Sequence, residues 1–172
     1  AQALRHAGFR VEPFRPSQLD ALRKIWNTFF VQCGALFYEP ETHGNLDKLS
    51  PIFSEFLSIA EAAGELSTRE LLFAWAEVDL LRSKFLAEIS EYPVLLCPVA
   101  SIPAFRHDER EWTIDGKTVK YLDAVRYTQW FNALAMPAAV VPVGRSVNGL
   151  PIGVQVAVRP FEDELVLTIA AA

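Results

Sequence analysis

The chain has 172 residues, 51% hydrophobic and 12% aromatic, with a formal net charge of −5. That size suits one domain, 1–172, with a sizeable core, and such hydrophobicity excludes intrinsic disorder. The acidic balance excludes a pull toward nucleic acid or an anionic membrane surface, and no apolar run reaches the roughly 18 residues that span a bilayer.

Residues Ala1 to Ala7 read as the last turns of a helix, with Gly8 just past its end. Phe9 to Phe14 reads as a strand, with Val11 between polar neighbours. Ser17 and Asp20 have the spacing of a capping box, and Leu19, Leu22, Trp26, Phe29, Phe30, Cys33 and Phe37 then step at three or four along one helical face. Glu39 to Asn45, holding Pro40 and Gly44, reads as a loop. Ser50-Pro51 opens a short helix that Gly64 ends. Ser67 and Glu70 form a second capping box, ahead of a long helix with Leu71, Trp75, Val78, Leu81, Phe85 and Ile89 on one face.

Pro93 stops that helix. Val94 to Cys97 is a continuous apolar run, as in a strand buried on both faces, and Pro98 to Ala104 is a stiff loop. Trp112–Ile114 and Thr118–Tyr121 flank Asp115-Gly116 as a hairpin, and Leu122 to Leu134 reads as one helix. Two apolar strands follow, joined at Asn148-Gly149, a pair that favours a type I′ turn with φ > 0 at both positions. Glu162-Asp163-Glu164 supplies an acidic first turn for a closing helix, Leu165 to Ala172. Alternating helices and apolar strands make the class α/β, with a mixed β-sheet flanked by helices. Both ends read as helices interrupted in mid-course, so a piece of a longer chain is expected.

His6, His43 and His107 are far apart in polar or loop contexts, so no metal site is expected. Cys97 before a loop could serve as nucleophile with His107 as base. Its alternative role, a small buried apolar side chain, is the stronger of the two. No nucleophile elbow, phosphate loop or dinucleotide fingerprint is present. The two separated cysteines, Cys33 and Cys97, fit a reducing compartment, and the expected location is cytoplasmic.

Five segments, in order, resemble the C-terminal half of the amidase signature family of serine amide hydrolases. They are Leu4–Pro13, Leu95–Ala104, Asn132–Pro137 with Val141–Gly144, the Gly149-Leu-Pro-Ile-Gly-Val-Gln155 motif, and Phe161–Leu167. The chain departs from the family in two places. Ala135 stands where family members usually carry glycine, which puts the local backbone in doubt, and Cys97 stands where they often carry threonine.

The resemblance implies the partial fold of such an enzyme and a Ser–cis-Ser–Lys triad in a Gly/Ser-rich segment of the N-terminal half. There a neutral lysine takes the serine proton through the bridging serine, and backbone N–H groups hold the oxyanion. No such segment occurs in this sequence, so no catalytic residue carries over. By their place in or beside the proline-rich loop, Cys97, Val99, Ile102 and Phe105 are the candidates for lining the acyl side of the pocket, with core packing as their alternative role. The implied activity is hydrolysis of carboxylic amides to acid plus ammonia or amine, without cofactor or metal, and the isolated chain is expected to be inactive. The alternatives are the amidase subunit of a tRNA-dependent amidotransferase and a non-catalytic α/β interaction domain. Expected partners are the remainder of a parent chain and a small-molecule amide, with no nucleic acid and no membrane; a homodimer stays open.

Overall fold

Residues 1–171 are described in the computed structural model. In chain order the elements are α1 (Gln2–His6), α2 (Leu19–Trp26), α3 (Cys33–Thr42), α4 (Pro51–Ala63), α5 (Thr68–Glu88), β1 (Val94–Pro98), β2 (Glu111–Ile114), β3 (Lys117–Lys120), α6 (Tyr121–Ala124), α7 (Arg126–Leu134), β4 (Ala138–Arg145), β5 (Pro151–Val158) and α8 (Asp163–Ala171). They fall into two units, one of Ala1–Ser17 with Phe85–Ala172, the other of Gln18–Lys84. The expected helix end at Ala172 lies outside the described residues.

The first unit is built on a three-stranded sheet ordered β1-β5-β4. Side chains alternate across a strand, so Val94 and Leu96 share a face with Val156 and Val158 and with Ala139 and Val141. Leu165, Val166 and Ile169 of α8 pack on that face and close its core. Each valine so buried contributes roughly 1.5–3 kcal/mol. A separate ribbon pairs β2 with β3 around Asp115 and Gly116, both at positive φ as a type I′ turn requires.

The α/β class holds, but every described ladder is antiparallel, where a mixed sheet was expected. β1 is only partly covered rather than buried on both faces, because it lies at the sheet margin. Asn148-Gly149 does turn the chain, yet only Gly149 has positive φ. Ser146 N–H donates to Leu150 O and Gly149 N–H to Ser146 O, so five residues separate the paired Arg145 and Pro151. Phe9–Phe14 forms no strand, having no partner to pair with among the described residues. Its backbone is held instead at Val11 O, which accepts from Arg5 Nη2 at 3.0 Å.

The second unit is helical. Ser50 caps α4 by accepting from Phe53 N–H, and the Ser67–Glu70 box forms in both directions, with Ser67 N–H donating to Glu70 Oε2 at 2.8 Å and Glu70 N–H to Ser67 Oγ at 3.2 Å. Hydrogen bonds from Ser67, the side-chain one first, hold the Glu70 carboxyl below its ordinary value.

The Ser17–Asp20 box does not form. Ser17 N–H and hydroxyl both donate to Glu88, and α2 starts from Gln18 with no side-chain cap. A π-helical stretch, Asn27–Gln32, separates α2 from α3 and rotates the apolar face. Leu22, Ile25, Thr28 and Val31 are buried, while Phe30 and Phe37 are exposed, contrary to the single face expected. α3 then continues through Pro40 to Thr42 instead of yielding to a loop at Glu39. The Glu39 carbonyl there accepts from both His43 N–H and Thr42 Oγ1. On α5, Leu81, Phe85 and Ala74 are buried, but Trp75 is exposed.

Candidate functional site

Cys97 and Pro98 end β1, and the chain then leaves the sheet as the Pro98–Ala104 loop. Cys97 pairs in register with Gln155 of β5. Gln155 is 2% exposed, an amide inside an otherwise apolar strand. Its Nε2 donates to Pro98 O at 2.9 Å and to Tyr127 O at 3.0 Å. A buried amide left unpaired would cost about 1–3 kcal/mol, so these bonds are a condition of the burial. Farther along the loop, Ser101 N–H donates to Ala124 O at 2.8 Å, and Ser101 Oγ reaches the same oxygen.

The helices that receive these bonds are themselves interrupted. The expected single helix over Leu122–Leu134 breaks at Val125 (φ −98°), giving α6 and α7. Gln129, also buried, fills the break by donating from Nε2 to Leu122 O at 2.9 Å. The α6–α7 corner can therefore offer Ala124 O and Tyr127 O to the loop side.

Val99 lies just past β1, half-buried. A Cβ built on Gly153 would stand 2.9 Å from Val140 Cγ1 and 3.5 Å from Val99 Cγ2, so only glycine admits both valines this close to β5. Cys97 and Val99 thus meet β5 at Gln155 and Gly153. Phe105 packs elsewhere, with ring centroids 5.0 Å from Trp112 and 6.0 Å from Tyr121, edge to face. Arg110 lies over the same Tyr121 ring at 5.5 Å. Ile102 is half-buried in the loop between these two places.

Burial pushes the Cys97 thiol up to about 11, against a weaker opposing hydrogen bond with Gln155. A reactive cysteine has its thiolate favoured, the opposite of the shift at Cys97, whose burial favours a packed thiol. Among the described residues no group of three or more His, Cys, Asp or Glu could hold a metal, and no helix is long and apolar enough to cross a membrane. The residues sequence reasoning passed over are Gln155 and Gln129. For Gln155 a signal was present, since a lone amide in an apolar run must find partners inside; Gln129, among Thr128, Trp130 and Asn132, had none.

The Amidase family profile matches residues 1–167. This chain belongs to the amidase family. It is 33% identical over 93 residues to a glutamyl-tRNA(Gln) amidotransferase component of Bdellovibrio bacteriovorus, covering 54% of this chain and 18% of that protein. It is 27% identical over 181 residues to the indoleacetamide hydrolase of Bradyrhizobium japonicum, covering 100% of this chain and 36% of that one. Among solved structures, an amidase superposes with a TM-score of 0.75 at 23% identity, over 89% of this chain and 35% of the other. A 6-aminohexanoate cyclic dimer hydrolase complexed with substrate superposes with a TM-score of 0.69 at 20% identity, over 98% and 38%. These likenesses establish the fold. The chain spans well under half the length of each relative.

Proposed function

We propose that these residues form the C-terminal part of an amidase that hydrolyses carboxylic amides to the acid plus ammonia or an amine. The reading rests on one observation: a family match across residues 1–167 in a chain spanning 36% of an indoleacetamide hydrolase. The nucleophile and base belong to a segment outside these residues, and the Pro98–Ala104 loop, with Cys97, Val99, Ile102 and Phe105 in or beside it, lines the acyl side of the pocket. The outer edges of β1 and β4 carry no strand among the described residues, and Val140 on β4 is 58% exposed, which supports a remainder of the parent chain as partner. Both cysteines are free, in keeping with a reducing, cytoplasmic setting.

The test is ammonia release from simple carboxylic amides. The longer gene product turns over, and the 172-residue chain does not. Hydrolysis by the 172-residue chain that disappears in Cys97→Ser would overturn the reading and restore a thiol mechanism.

A second reading, the amidase subunit of a tRNA-dependent amidotransferase, is favoured by higher local identity, 33% against 27% for the hydrolase. Glutamine hydrolysis that appears only when misacylated tRNA and a partner protein are both supplied would select it over the first.

A further inference from the structure

Pro98, the first residue of the Pro98–Ala104 loop, is also the last of β1, in register with Val154, and has no N–H to donate. Its carbonyl is held by one buried side chain. Gln155 Nε2 donates to two backbone carbonyls, Pro98 O at the loop root and Tyr127 O near the start of α7. A carbonyl oxygen cannot donate, so these two acceptors fix which end of the amide faces them. Gln155 is buried on β5, which is paired on both sides, so the amide is mounted on the middle strand of its sheet. The two carbonyls it joins are 57 and 28 residues from it in sequence. The next fixed point of the loop is Ser101, held on Ala124 O. Val99 lies between the two anchors, against Gly153.

We propose that Gln155 is the positioning residue of the Pro98–Ala104 loop, setting the Pro98 carbonyl and so the stance of Val99 and Ile102. That these side chains face an acyl group rests on the function proposed above; the clamp itself does not. In this role Gln155 acts through the loop, by way of the Pro98 carbonyl. The same amide shields Cys97, its register partner, so the thiol reports on the clamp.

The first experiment needs no activity. In a Cys33→Ser background, alkylation of Cys97 by iodoacetamide is followed at pH 8 in low urea for Gln155→Met, which keeps the shape without donors. Val156→Ala serves as the control, since it weakens the opposite, α8-facing side of the same strand. Gln155→Met is expected to alkylate about tenfold faster than the control at equal distance from its unfolding midpoint, the effect of roughly one lost hydrogen bond. Equal rates in the two variants overturn the clamp. Should Gln155→Met fail to fold, Gln155→Asn, one methylene too short to span both carbonyls, is read the same way.

In the longer gene product, Gln155→Met is expected to raise KM for acyl amides about tenfold while kcat changes little, because it loosens the wall and leaves the reacting groups. Turnover with unchanged KM overturns the pocket role. Absence of any amide turnover in the wild-type gene product would refute the proposed function instead, leaving the alkylation result to judge the clamp.

Discussion

In the helical unit, Gln18–Lys84, large aromatic side chains stand in the open: Phe37 is 80% exposed and Trp75 62%. In the sheet unit, Val156, Val158 and Val166 close an apolar core on one face, and two buried glutamines, Gln155 and Gln129, hold backbone carbonyls of Pro98, Tyr127 and Leu122. Helix starts in the first are closed by caps written within a few residues, at Ser50 and at Ser67 with Glu70. Order in the second comes from pairs far apart in sequence, such as Gln155 with Pro98. The contrast teaches that position within this chain decides what an apolar residue contributes, and that hydrophobicity alone does not.

Replacing one ring from each kind of site tests the contrast most severely. Phe85, 1% exposed and edge-to-face with Phe14, should cost about 3–5 kcal/mol on truncation to alanine. Phe37→Ser should move stability by no more than about 0.5 kcal/mol. Urea unfolding of both variants checks this, and similar shifts in midpoint would abolish the distinction.

A smaller effect belongs to the sheet unit alone. Cys97 stays protonated in the fold up to about 11, whereas the unfolded chain releases this proton near 9.0. The stability linked to this thiol is therefore fully present below pH 9 and is lost as pH rises toward 11. In that lower range, its alkylation in the folded protein should be about a hundredfold slower than that of an ordinary thiol, with the rate still climbing beyond about pH 10. A rate that levels off near the unfolded value would show that the burial of this strand end is illusory.

Legibility in the sequence followed the same division. Gly8, Ser50, Gly64 and the Ser67–Glu70 box were readable because each depends on atoms within four residues. The Ser17–Asp20 box has the same grammar, yet Glu88, 71 residues away, takes both Ser17 donors. No local pattern reveals such a competitor. The π-helical stretch at Asn27–Gln32 defeated the helical face for a related reason: one wide turn shifts every later residue around the axis. Phe9–Phe14 had the alternation of a strand without a partner, and pairing is a property of two segments. At the candidate site, Cys97 and Val99 were reached through the family resemblance. Gln155 entered only as a letter of its motif, since its role lies in two carbonyls that the sequence places 28 and 57 residues away.

The smallest effect compares two helix ends closed in the same way. After α1, Gly8 N–H donates to Arg5 O and Phe9 N–H to Leu4 O; after α7, Ala135 N–H donates to Asn132 O and Met136 N–H to Phe131 O. Both geometries require a left-handed residue, and Ala135 adopts it (φ 53°, ψ 44°) just as Gly8 does (φ 90°). Alanine at this position does take the left-handed conformation, with its Cβ crowded against the backbone. A left-handed alanine costs about 1–2 kcal/mol, and glycine returns part of that through its greater freedom when unfolded. Ala135→Gly should therefore stabilise the chain by about 0.5–1 kcal/mol, read as a rise in Tm. Gly8→Ala should lower it by a similar amount, although no heavy atom lies within 4 Å of the added Cβ. Shifts of the same sign at both positions would mean that something other than backbone conformation governs these ends.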